Sequence, residues 1–311
     1  MNRRNFVKTA VLGASVFGAA KTFADDKPNA KKFNVKFAPH FGQFDASAGK
    51  DPVDKIKFFA DCGFTAFEDN GMMKRPVAVQ EAITKERERL GMDMGIFLAY
   101  ANFKSPLMIS NRFELKDRNE DKKGVREFLK KQMQDAVECS KRVHTKLCTV
   151  VPGCFDERLD YGYQFANVMD NLKFCSEICE KAGLVMVLEP LNPKNHPNLW
   201  LKTINQAYAL CKAVNSPSCK ILFDIYHQQI TEGNIIYNIK QAWSEIGYYQ
   251  MGEVPGRKEP CDGEINYKNI FKVLKENGYN GVIGMEHGQK ANTKEGDQHL
   301  IDSYKAIDLD A

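Results

Sequence analysis

The sequence predicts an α/β fold, a single (β/α)8 TIM barrel preceded by an export signal, and three observations predict it. Short apolar runs alternate with amphipathic stretches eight times, a helix-glycine-strand junction repeats, and several of the runs end in a polar residue. Candidate strands begin near Phe33, Phe64, Met92, Thr145, Leu184, Lys220, Ile246 and Gly281, with no composition break among them that would mark a linker. Between them lie segments of helical period. Val125, Phe128, Leu129, Met133, Ala136 and Val137 stripe one such helix, and Phe165, Val168, Met169, Leu172, Cys175 and Cys179 stripe the next.

Four junctions read alike: Cys62-Gly63-Phe64, Leu90-Gly91-Met92, Ala182-Gly183-Leu184 and Asn277-Gly278-Tyr279. Glycine takes the left-handed conformation that ends a helix, so the repeat marks a βα unit used over and over. Eight such units in fewer than 290 residues fit a closed barrel better than an open doubly wound sheet. An open sheet would carry a Gly-rich phosphate loop after its first strand, whereas Pro39-His40-Phe41-Gly42-Gln43-Phe44 follows here and neither GxGxxG nor GxxxxGK[ST] occurs. The connection from Ala101 to Gly124 is long and polar, and reads either as a lid over the barrel mouth or as a solvated surface loop.

The N-terminus stands apart. Arg3 and Arg4 precede a short apolar segment from Thr9 to Ala20, and a small-residue cleavage site follows at Ala24. This resembles a twin-arginine export signal over residues 1–24, which makes the export machinery a partner, the periplasm the expected location, and residues 25–311 the barrel domain. The apolar segment is too short to span a bilayer comfortably. The chain carries a formal charge of +4; removing Arg3, Arg4, Lys8 and Lys21 with the signal brings it to zero. No basic field remains to attract nucleic acid. Nine cysteines without a CxxC pair point to buried thiols, and Cys175 and Cys179 lie on the apolar face of their helix.

Glu189, Asp224, Gln250 and Glu286 each close an apolar run: Leu184 to Leu188, Ile221 to Phe223, Ile246 to Tyr249 and Val282 to Met285. Barrel strands are covered on both sides, and residues at their carboxyl ends share one mouth. Four oxygen donors so placed suit one Mn²⁺ or Mg²⁺ rather than the nitrogen and sulfur of structural zinc. Such an ion chelates adjacent oxygens of a hydroxy-ketone, and the two glutamates on opposite walls can take a proton from one carbon and return it to the next through an enediolate. His40, Glu68 and Trp200 are further candidates for the mouth, and Glu68 reads equally well as structural.

The strings Glu189-Pro190-Leu191-Asn192-Pro193, Asp224-Ile225-Tyr226-His227, Val254-Pro255-Gly256-Arg257, Glu259-Pro260, Gly263-Glu264-Ile265-Asn266-Tyr267 and Gly284-Met285-Glu286 resemble the hydroxypyruvate isomerase family. That family sits within the xylose-isomerase-like TIM-barrel sugar isomerases and epimerases. The resemblance is dense from about residue 184 to 287 and looser before. It implies that Glu189 and Glu286 are the acid-base pair and metal ligands, with Asp224 and Gln250 completing the ligand set. It further implies that His227 contacts a substrate oxygen and that Arg257 binds a carboxylate or hydroxyls, while Glu264 either caps a loop or holds Arg257. The expected substrate is a small hydroxy-ketone or a free sugar. Alternatives are an exported carbohydrate-binding barrel without catalysis, or a dehydratase or lyase using the same metal. The related abasic-site endonuclease barrel needs several histidines around three zinc ions and a basic face, against six histidines and zero net mature charge here.

Overall fold

The computed structural model describes residues 30–309, so the expected export signal lies outside the described residues. Nine strands follow in order: β1 Lys36–Ala38, β2 Ala66–Phe67, β3 Asp93–Met94, β4 Ile96–Ala101, β5 Leu147–Val151, β6 Val185–Leu188, β7 Cys219–Asp224, β8 Ile246–Gln250 and β9 Val282–Gly284. All their pairings are parallel, in the order β1-β9-β8-β7-β6-β5-β4 with β2 paired to β3. Only Gly95 separates β3 from β4, and together they fill one position. A Cβ at Gly95 would lie 2.1 Å from the Tyr248 hydroxyl, so the break sits where a side chain from β8 crosses the interior. The ring is joined through β2: Glu68 N donates to Pro39 O (3.0 Å), Gly95 N to Phe67 O (2.8 Å) and Asp69 N to Ile96 O (3.2 Å). Eight strand positions therefore stand where eight apolar runs were expected, each within a few residues of its expected start.

Helices pack outside the strands. The four junction glycines have φ of 94°, 65°, 66° and 84° at Gly63, Gly91, Gly183 and Gly278, the left-handed backbone that ends a helix. Helix starts are capped by Asp51, Thr203 and Thr293, whose side chains accept from the first-turn amides. Helix Lys122–Val143 buries Val125, Leu129, Met133, Ala136 and Val137 as its stripe requires. Phe128, at the edge of that stripe, is 40% exposed and meets Phe113 and Tyr100 edge-on. Cys175 and Cys179 are buried in helix Tyr161–Glu180, and all nine cysteines are free thiols. Among the described residues no helix is long and apolar enough to cross a membrane.

The segment from 101 to 124 divides in two. Its first half forms a buried helical turn, Leu107–Ser110, held by Asn171 Nδ2 on Met108 O (3.0 Å), Asn167 Nδ2 on Ile109 O (3.0 Å) and Arg112 Nη1 on Asp156 Oδ2 (2.6 Å). The tip from Phe113 to Lys116 is exposed. Inside the strand ring, Ile96, Val187, Leu222 and Tyr248 form a fully buried plug, with Val185 and Val282 against it. That plug is the floor of the site.

Candidate metal centre and active site

Strand side chains alternate between two faces, so the plug residues dictate what lies above them. Val185 and Val187 face inward, hence so does Glu189; Leu222 brings in Asp224, Tyr248 brings in Gln250, and Val282 with Gly284 leads to Glu286. Glu189, Asp224, His227 and Glu286 each offer one ligand atom, and these atoms lie within 4.8 Å of one another. The structure thus brings together residues separated by almost one hundred positions in the chain.

Each group is held by its neighbours. Asp224 ends β7 and caps helix Ile225–Thr231: its Oδ1 accepts from Tyr226 N (2.9 Å), while Oδ2 accepts from Arg257 Nη2 (3.1 Å). Glu286 accepts from Arg257 Nη2 (2.7 Å) and from Asn70 Nδ2 (2.8 Å). The Arg257 guanidinium also donates through Nε to the Glu286 carbonyl (3.0 Å) and lies 4.8 Å over the Tyr226 ring. Gln250 Nε2 donates to Glu68 Oε1 (3.0 Å), which leaves Gln250 Oε1 buried without a partner. His40 Nδ1 accepts from Gly42 N, so Nε2 carries the proton and donates to His287 O (3.1 Å); His40 ties two mouth loops together. Beside Glu286 a cavity of about 390 Å³ opens between His40, Phe41, Glu68, Asn70 and Arg75.

His227 differs from the carboxylates near it. Asn192 Oδ1 accepts from Lys194 N and Asn195 N, which fixes its amide, and Nδ2 then donates to His227 Nδ1 (2.7 Å). Asn192 N donates to the same nitrogen (3.3 Å). With Nδ1 accepting, the neutral ring carries its proton on Nε2, 3.4 Å from Asp224 Oδ2 and 3.8 Å from Glu189 Oε1. In this tautomer His227 turns a proton rather than a lone pair toward the site, and that Nε2 is buried without a hydrogen-bond partner. Burial and then the Arg257 charge push its pKa down to about 2, which keeps it neutral.

Burial raises the Glu189 pKa, and the Glu286 and Asp224 charges raise it further. Asp224 is raised to about 7, chiefly by burial, with Arg257 opposing. Crowded carboxylates that resist ionising together are what a divalent cation relieves. The donor set of three carboxylates and one unpartnered amide oxygen fits a hard, oxygen-preferring ion.

A family model described as the xylose isomerase-like TIM barrel matches residues 56–305. The chain belongs to this family. Over 131 residues it is 36% identical to a 2-oxo-tetronate isomerase of Cupriavidus necator, covering 42% of this chain and 50% of that one. Over 140 residues it is 34% identical to the hydroxypyruvate isomerase of Escherichia coli, covering 45% and 54%. The chain thus spans about half the length of these curated relatives. The crystal structure of a 3-keto-D-glucoside 4-epimerase from E. coli shares the fold with a TM-score of 0.70 at 18% identity, over 88% of this chain and 98% of that one.

Within this xylose isomerase-like barrel the structure brings Glu189, Asp224 and Glu286 together, with His227 beside them, and places several other expected residues elsewhere. Glu264 holds neither Arg257 nor the site; it accepts from Gln229 Nε2 (3.1 Å). Trp200 is 2% exposed and stacks on Tyr161 (5.8 Å), making it a wall residue rather than a group open in the mouth. Asn70, Asn192 and Tyr248 were not singled out for any role. The signal for Asn70 was its place directly after Glu68-Asp69 at the end of β2, where another strand-end polar group was due.

Proposed function

We propose that this barrel is a divalent-metal-dependent isomerase or epimerase of a small hydroxy-ketone or free sugar, which as an isomerase moves a proton between adjacent carbons and as an epimerase returns it to the same carbon from the opposite face. The observation that carries the reading is the convergence of Glu189, Asp224 and Glu286 within 4.8 Å, beside a buried amide oxygen that has no partner. Glu189, Asp224, Gln250 and Glu286 would hold the ion, Mn²⁺ or Mg²⁺, which when bound polarises the substrate carbonyl. Glu189 takes a proton from the carbon next to the carbonyl, and Glu286 delivers one to the neighbouring carbon. Their positions directly after β6 and just after β9 put them on different walls of the mouth. His227 donates its Nε2 proton to a substrate oxygen, and Arg257 holds Asp224 and Glu286 in place while its exposed edge meets the substrate. An enediolate is the species such transfer passes through. The names of the curated relatives, hydroxypyruvate and 2-oxo-tetronate isomerases, support a 2-keto, 3-hydroxy compound of this kind.

Residues 1–24 are in this reading a twin-arginine signal, and the folded enzyme works in the periplasm on a small molecule without nucleic acid. Glu189→Gln and Glu286→Gln each keep the fold and remove turnover of the metal-loaded protein. Substantial activity in either variant overturns the assignment of the pair.

A further inference from the structure

Gln250 offers an oxygen to a cation only when its amide is turned one way, and the residue that turns it comes from the other side of the barrel. Glu68, directly after β2, is 1% exposed and accepts two hydrogen bonds, from Gln250 Nε2 (3.0 Å) and from Tyr248 Oη (2.9 Å). The Gln250 NH2 faces Glu68 Oε1, so Gln250 Oε1 faces away and has no partner of its own. Glu68 is also sterically fixed. A Cβ at Gly284 would lie 2.0 Å from Glu68 Oε2 and 2.5 Å from Cδ, so the carboxylate rests directly on the backbone of β9.

We propose that Glu68 is a positioning residue of the metal centre: by fixing the Gln250 amide through Nε2, it presents Gln250 Oε1 to the ion that Glu189, Asp224 and Glu286 hold. This rests on the metal-binding reading above. Glu68 stands outside the group of ligand atoms that lie within 4.8 Å of one another, and each of its oxygens already accepts a hydrogen bond from β8. The orientation matters because an amide NH2 in the same place would aim positive charge at a cation.

The test is calorimetric titration of Mn²⁺ into the metal-free full chain, with folding followed by circular dichroism. In Glu68→Gln the new amide can accept from Tyr248 Oη and donate to Gln250 Oε1, which turns the Gln250 NH2 toward the ion. Affinity for Mn²⁺ then falls by about 10- to 100-fold, the range expected when a residue that orients a ligand is changed. The exchanged pair Glu68→Gln with Gln250→Glu keeps the hydrogen bond and the charge and again offers an oxygen, so affinity returns to near the wild-type value. Tyr248→Phe leaves the Glu68–Gln250 bond intact and keeps near wild-type affinity even where stability drops. Unchanged affinity in Glu68→Gln, failure of the exchanged pair to restore binding, or an equal loss in Tyr248→Phe would each overturn the proposal. A wild-type chain that binds no Mn²⁺ overturns the metal reading itself, and this one with it.

Discussion

Gly284 is the place where the smallest change in the chain meets the least room. Its alanine methyl would lie 2.0 Å from Glu68 Oε2, whereas an ordinary carbon-oxygen contact is about 3.3 Å. The carboxylate must retreat by more than 1 Å, roughly, and its bonds of 2.9 Å to Tyr248 and 3.0 Å to Gln250 then exceed hydrogen-bonding range. Overpacking a core costs about 1–3 kcal/mol, and leaving a buried polar group unsatisfied costs about as much again. Gly284→Ala is therefore expected to destabilise the metal-free protein by about 4 kcal/mol. At about 2 °C per kcal/mol for a large domain, its melting midpoint falls by about 8 °C. In a Glu68→Ala background the methyl has space, and the same substitution costs less than about 1 kcal/mol, because contacting residues are energetically coupled. A drop under about 2 °C, or an equal drop in both backgrounds, would show that Glu68 is not lodged against β9.

Three further outcomes follow from the same contacts. Metal binding requires ionised carboxylates, and Asp224 (about 7) and Glu189 hold their protons to higher pH than usual, so Mn²⁺ affinity rises with pH. A group that titrates near 7 is half-protonated there, so Asp224 alone gives about a fivefold loss between pH 7 and 6, rising toward tenfold per unit at lower pH, which titration in matched buffers checks; a flat profile from about pH 5.5 to 7.5 contradicts it. Asn192→Asp replaces the amide that donates to His227 Nδ1 at 2.7 Å with an acceptor-only side chain, leaves only the longer backbone contact of 3.3 Å, moves the ring proton to Nδ1, and lowers kcat/KM while leaving metal affinity within about threefold; nitrogen shifts of His227 report the tautomer. Arg112→Met removes the 2.6 Å bond to buried Asp156, which keeps Arg158 (3.0 Å), so stability falls by about 1–3 kcal/mol and limited proteolysis accelerates within residues 102–121. Cleavage there at the wild-type rate contradicts the docking of that segment.

Much of the site was legible because a closed parallel barrel turns sequence order into geometry. Val187 and Glu189, Leu222 and Asp224, or Tyr248 and Gln250 stand two residues apart, so an apolar run fixes which way its terminal polar group faces. The strand-ending glutamate after β2, Glu68, follows the same rule, yet its partners lie 180 and 182 residues further on, and no local pattern reports a hydrogen bond across the barrel. The orientation of the Gln250 amide and the tautomer of His227 are likewise set by single contacts from other loops. The turn Leu107–Ser110 was hidden for a different reason. Leu107, Met108 and Ile109 form a run too short to show a helical period, and what holds it is a pair of asparagines, Asn167 and Asn171, on helix Tyr161–Glu180, three elements later.

Proton transfer by Glu189 and Glu286 is tested most directly by NMR in D2O, with the metal-free and Mn²⁺-loaded protein offered hydroxypyruvate, 2-oxo-tetronate and a panel of free ketoses. The expected result is deuterium uptake at a carbon next to the carbonyl of at least one compound, dependent on Mn²⁺ and lost in folded Glu189→Gln and Glu286→Gln. Stoichiometric Mn²⁺ binding with no exchange on any of these compounds, or exchange that survives in either variant, contradicts it.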